Sequence, residues 1–143
     1  MTGERVRSFL MSLHDCWPAG ERAALARFYH PDVVLLPPDL GPPIRGRDAV
    51  VDSYQEFLSA ARMQTFAVTD LDVFEFPAAQ GSTRISTYMA HLNFEISYEL
   101  GGDHYIEQGL EIYTVLETGD QLQIVWRSQT VLDSRLASKS EPG

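Results

Sequence analysis

Two carboxylic acids, Glu111 and Asp39, sit in sequence contexts suited to proton-transfer chemistry. Glu111 belongs to the alternating run Glu107-Gln108-Gly109-Leu110-Glu111-Ile112-Tyr113, which as a strand puts Glu107, Gly109, Glu111 and Tyr113 on one face. A carboxyl group in an apolar cavity has a raised proton affinity and serves as acid, base or hydrogen-bond donor. The competing reading is a structural ion pair with an arginine of the next strand, such as Arg127. Strict alternation puts Arg127 on the face opposite Glu111. Asp39 lies in Pro37-Pro38-Asp39-Leu40-Gly41-Pro42-Pro43, where the prolines would hold a carboxylate over a pocket mouth at little entropic cost. Its competing reading is a turn residue whose side chain caps its own backbone.

The same alternation supplies candidate ligand contacts. Ile124, Trp126, Ser128 and Thr130 would join Glu111 and Tyr113 on the concave face, with Tyr88, Leu92, Phe94, Ile96 and Tyr98 as apolar walls. Tyr54 and Trp17 come from helices nearby. The candidate binding set is therefore Tyr113, Tyr54, Trp126, Trp17, Phe94 and Ser128, which suits a small, partly apolar ligand. His14, His30, His91 and His104 have no metal-ligand spacing, so neither metal nor cofactor is expected. His14 is expected at the surface. His91 and Asn93 fall on the outer sheet face.

Helices and strands must position these groups. Val6, Phe9, Leu10, Leu13 and Trp17 recur at helical spacing, and Pro18 and Gly20 end that helix. A short helix runs from Glu21 to Phe28 or Tyr29, and Val33 to Leu36 reads as a buried strand. The proline-rich loop follows. Asp48 is the expected cap of a third helix ending near Arg62, with Val50 or Val51, Tyr54, Phe57, Leu58 and Ala61 as its buried stripe. Beyond Met63 the pattern is strand: Thr65 to Phe76, Thr83 to Tyr98, His104 to Glu117 and Gln121 to Leu132. Pro77 and Gly81, then Gly101-Gly102-Asp103, then Gly119-Asp120 mark the connections of an antiparallel meander. Residues 1–133 form the expected domain, and the polar stretch 134–143 a frayed tail.

Composition narrows the function classes. A net charge of -9 argues against binding a phosphate backbone, so nucleic acid is not an expected partner. No apolar run approaches the roughly 20 residues that span a bilayer, so no membrane segment is expected and a cytoplasmic location is the simplest expectation. Cys16 is the only cysteine, which precludes an intramolecular disulfide.

Element order and four motifs resemble the nuclear transport factor 2-like superfamily, and its SnoaL-like domains in particular. The motifs are Trp17-Pro18-Ala19-Gly20-Glu21, Phe28-Tyr29-His30-Pro31-Asp32-Val33, Gly46-Arg47-Asp48-Ala49-Val50 and Thr118-Gly119-Asp120-Gln121-Leu122-Gln123-Ile124-Val125-Trp126. The last also resembles the final hairpin of calcium/calmodulin-kinase association-type domains. The resemblance implies a cone-shaped α+β fold, three N-terminal helices packed on a curved, mainly antiparallel sheet with a pocket at its wide end. In the ketosteroid isomerases of that superfamily an aspartate after the first strand shuttles a proton, while an acid and a tyrosine stabilise the enolate oxygen. Counting from Gly46 puts that aspartate's place at Pro37, with Asp39 two residues further on. Counting from Gly119 puts the oxyanion-stabilising acid at Glu111, and the helix-one tyrosine falls near Leu13. The expectation is a small-molecule pocket with isomerase, cyclase or dehydratase-type proton transfer. The alternative is a non-catalytic binding or assembly domain, a homodimer through an outer sheet face bearing Met89, His91, Leu110 and Ile112.

Overall fold

The computed structural model describes residues 2–76 and 85–138. The connection expected through Pro77 and Gly81, and the start of the next strand at Thr83, lie outside the described residues. Helix α1 (Thr2–Cys16) runs into a single 3-10 turn, Trp17–Ala19, followed by the short α2 (Arg22–Ala26). Strand β1 (Tyr29–Leu36), the two-residue β2 (Ile44–Arg45) and helix α3 (Arg47–Ala60) come next. The long strands β3 (Arg62–Phe76), β4 (Ile85–Leu100), β5 (Asp103–Thr118) and β6 (Gln121–Ser138) complete the chain. The result is a mixed α+β fold with an unclosed, curved six-stranded sheet in the order β2-β1-β6-β5-β4-β3. Only the β1–β6 pairing is parallel among the described strands.

Apolar periodicity explains the layers. Val6, Leu10 and Leu13 of α1 and Val50, Val51 and Tyr54 of α3 are buried, as are Tyr88, Ala90, Leu92, Phe94, Ile96 and Tyr98 along β4. Helix faces and sheet face therefore share one core. The tight turn between β4 and β5 needs positive φ, supplied by Gly101 (61°) and Gly102 (86°). Close packing is evident at Gly109, where a Cβ would overlap the ring of Phe94 from the neighbouring strand.

Several boundaries differ from the sequence pattern, each for a non-local reason. Strand β1 begins at Tyr29, before Val33, because Tyr29 pairs with Ile124 of β6. Helix α3 is capped at Gly46 rather than Asp48. Gly46 takes φ 92° and donates its N–H to the Val33 carbonyl at 2.8 Å, so the chain turns before Asp48, which sits inside the first turn. Strand β6 continues past Leu132 to Ser138, since Asp133, Ser134, Arg135 and Leu136 pair with β5. Residues 134–138, expected in a frayed tail, are thus part of the strand, and residues 139–143 lie outside the described set.

One irregularity decides the site. Thr114 pairs with Trp126 but Val115 pairs with Ile124, so Val125 is an extra residue bulged out of β6. The alternation of facing flips there. Ile124 is buried on the core side, yet beyond the bulge it is Arg127 that turns inward. This corrects the concave-face placement of Trp126, Ser128 and Thr130: Trp126 is 39% exposed, and Ser128 pairs with Ile112 on the outward side.

Candidate functional site

Arg127 of β6 and Glu111 of β5 meet inside the fold, at 6% and 2% exposure. The Arg127 Nη2 donates to Glu111 Oε1 at 2.8 Å. The Tyr113 hydroxyl donates to Glu111 Oε2, two residues along the same strand face. Arg127 Nη1 donates to the Tyr54 hydroxyl at 2.5 Å and to the Tyr29 hydroxyl at 3.4 Å, and those hydroxyls lie 2.5 Å apart. The guanidinium also stacks over rings, 5.1 Å from the Tyr54 centroid and 5.6 Å from that of Tyr113. Strands β1, β5 and β6 and helix α3 thus each supply part of one polar array within an apolar core.

His14 joins from α1. Expected at the surface, it is 5% exposed, stacked on Phe66 with centroids 5.1 Å apart. Its Nε2 lies 3.4 Å from the Tyr113 hydroxyl and 3.9 Å from Glu111 Oε2, while Nδ1 has no partner among the described residues.

The electrostatics follow from burial and pairing. Burial lowers the His14 pKa to about 4 against the opposing pull of Glu111, so the imidazole is neutral at neutral pH. Burial alone would raise Glu111, but the Arg127 guanidinium, His14 and the Tyr113 hydroxyl together outweigh it and hold the carboxyl below its ordinary value. Glu111 is therefore an ionised acceptor, the reverse of the raised proton affinity expected for an unpaired acid. Burial pushes the Tyr29, Tyr54 and Tyr113 hydroxyls up, keeping them protonated donors. For Arg127, burial works against the charge, but Glu111 together with Tyr113, Tyr54 and Tyr29 raises the guanidinium well above its usual range.

A cavity of about 300 Å³ opens against this array. Trp17, Phe57, Phe66, Leu35, Ile44, Ile96, Pro37, Pro38 and Val131 give it apolar walls, and Tyr54, Tyr98, Ser53, Arg127, Gln129 and Glu107 are its polar lining. A guanidinium carries five N–H donors. The Arg127 bonds described above leave Nε without an acceptor among the described residues. Glu107 accepts from the Tyr98 hydroxyl at 2.6 Å and the Ser134 hydroxyl at 3.0 Å, both at Oε1.

Of the residues singled out from sequence, Trp17 and Tyr54 line the cavity, while Glu111 and Tyr113 lie behind Arg127 in its wall. Phe94 is buried against Phe66, with ring centroids 5.4 Å apart. Trp126 and Ser128 are on the other sheet face. Asp39 is exposed next to the cavity's Pro38, and its Oδ1 accepts the Gly41 N–H at 2.8 Å in a local turn. His14, Tyr29 and Gln129 had no place in the site read from sequence, Arg127 entered only as the competing ion-pair partner of Glu111, and Glu107 was put on the concave face without a role. Glu107 was legible from its parity with Glu111, whereas Arg127 was hidden by the bulge at Val125. Among the described residues no cluster of His, Cys, Asp and Glu could hold a metal ion. No helix among them is long and apolar enough to cross a membrane.

A model of the SnoaL-like domain matches residues 11–130. The chain belongs to the SnoaL-like domain family. Solved structures share its fold. An NTF2-like protein from Cytophaga hutchinsonii is similar at TM-score 0.69 and 12% identity, over 90% of this chain and 97% of that one. A ketosteroid isomerase-like protein from Erwinia carotovora atroseptica is similar at TM-score 0.63 and 13% identity, over 89% and 93% of the two chains. A hexachlorocyclohexane dehydrochlorinase of type 2 is similar at TM-score 0.68 and 11% identity, over 97% and 95%. At such identities the likeness is one of fold. No functionally curated protein matches the sequence.

Proposed function

We propose that this SnoaL-like chain binds a small, partly apolar molecule in the cavity, with Arg127 and Tyr54 holding an oxygen of that ligand. The observation that carries the reading is the placement of a buried guanidinium, bonded to the Tyr54 hydroxyl, in the wall of a cavity lined mainly by aromatic and aliphatic side chains. In this reading Glu111 is a positioning residue: with its charge it fixes Arg127, and through Arg127 it fixes the Tyr54 hydroxyl. Proton transfer of the isomerase, cyclase or dehydratase kind is the reaction class such an array supports. Fixed donors of this kind stabilise negative charge on a ligand oxygen.

The protein has two tryptophans, Trp17 in the cavity wall and Trp126 on the other sheet face, which allows a direct test. In the Trp126→Phe variant, titration with a neutral aromatic ketone such as acetonaphthone is expected to change Trp17 emission saturably. Substituting Arg127 by Lys is expected to weaken that binding about ten-fold, since Lys cannot reproduce the planar fork. An unchanged Trp17 signal across a panel of small aromatic ketones would overturn the reading.

A second reading, assembly through the outer sheet face, rests on a separate observation. Phe74 (57% exposed) pairs with Met89, and Leu110, Ile112 and Trp126 share that outward side. It predicts a dimer by light scattering at micromolar concentration. A monomer there counts against it.

A further inference from the structure

The charges in and behind the cavity wall do not balance. Arg127 is the cation of the lining, and Glu111 already neutralises it at 2.8 Å. His14 adds nothing at neutral pH, because burial holds it uncharged with a pKa of about 4. Glu107 is different. Its carboxylate lines the same cavity, its Oε1 is occupied by the Tyr98 and Ser134 hydroxyls, and no described cation pairs with it. Its Oε2 has no partner among the described residues. The Tyr98 ring, which lines the cavity beside Glu107, meets Phe57 edge-on at 5.5 Å and Tyr105 at 5.6 Å.

A ligand entering this space displaces water from Glu107. A neutral apolar group there leaves Oε2 desolvated without a hydrogen bond, which is costly for a charged oxygen. An anionic group adds like-charge repulsion from Glu107, on a protein whose net charge is already -9. A protonated amine does neither. It donates a charge-assisted bond to Oε2, and its charge is further favoured beside the aromatic faces of Phe57 and Tyr98.

We propose that the cavity is selective for a ligand with a cationic amine on an apolar body, the ammonium at Glu107 and a neutral acceptor oxygen at Arg127. The inference rests on the ligand-pocket reading above and adds the chemical class of the ligand. It assigns Glu107 as the specificity-determining residue. It does not require Glu107 to move a proton.

The test uses three matched probes on the intact protein: para-(aminomethyl)acetophenone, para-(hydroxymethyl)acetophenone and para-acetylbenzoate. Each carries the same acetyl oxygen and differs in the charge of its far end. Calorimetric titration at neutral pH is expected to rank amine over alcohol over carboxylate, the amine binding about ten-fold tighter than the alcohol. The Glu107→Gln variant keeps a carbonyl oxygen to accept from Tyr98 and Ser134, so its thermal melt should stay close to that of the parent. In it the preference for the amine over the alcohol should vanish, with alcohol binding retained. Equal binding of the three probes, tighter carboxylate binding, or an amine preference that survives in Glu107→Gln would overturn this inference alone. Failure of all three to bind would overturn the ligand-pocket reading and this inference together.

Discussion

Arg127 and Glu111 stabilise each other only because both are present. Removing a buried charge from water is expensive, and the pair recovers that cost through its 2.8 Å bond and through the hydroxyls of Tyr29, Tyr54 and Tyr113. Substituting Arg127 by Met strands an ionised Glu111 in the core and is expected to cost about 3–5 kcal/mol in urea unfolding. The double change Arg127→Met with Glu111→Leu should recover much of that loss, which the same unfolding curves would measure. His14 sets a pH dependence. Its folded pKa of about 4 lies below the ordinary 6.5, so its neutral burial stabilises fully above pH 6.5. As pH falls from 6.5 towards 4 the unfolded chain takes up the proton first, and roughly 3 kcal/mol is lost across that window. Glu111 acts in the same sense at lower pH, since its depressed carboxyl pKa contributes stability that is lost on protonation. The Glu111 signal was legible in the sequence as an acid in an alternating apolar run. Its ionised state was legible only through the competing reading, an ion pair with Arg127, and strict alternation counted that partner onto the wrong face.

Strands explain that miscount. The meander is written plainly in the alternation of Tyr88 to Tyr98 and in the glycine turns at Gly101-Gly102 and Gly119, all of which are local signals. A bulge leaves no such mark. Val125 is a good strand residue, and nothing in its type announces that it is the unpaired one. The same limit applies to the start of β1 and the end of β6, both fixed by pairing with distant residues. Deleting Val125 would restore simple alternation and carry Arg127 to the outer face. The expected outcome is loss of near-ultraviolet circular dichroism and of cooperative unfolding, with Glu111 left unpaired. Gly109 is a second strand-level constraint, since a methyl group there would push into the Phe94 ring. Gly109→Ala is expected to cost about 1–3 kcal/mol by urea denaturation.

Across the whole molecule, the layers converge on the cavity from every side. Helix α1 is tied to the sheet edge where Arg7 Nη2 donates to the Leu71 carbonyl at 2.6 Å, and it contributes His14 before the Trp17 turn. Helix α3 brings Tyr54 and Phe57, the proline-rich loop brings Pro37 and Pro38, and β5 and β6 bring Glu107 and Arg127. The sequence conveyed this architecture through element order, and with it an apolar pocket containing acids. It did not convey that the deep polar group is a guanidinium. If this guanidinium meets the ligand, its nitrogens respond to binding, and that is open to measurement. Side-chain nitrogen NMR of Arg127, followed during titration with acetonaphthone, tests it most directly. The Arg127 Nε resonance is expected to shift and to saturate together with the Trp17 fluorescence change. Saturable binding that leaves the Arg127 resonances unmoved would contradict it.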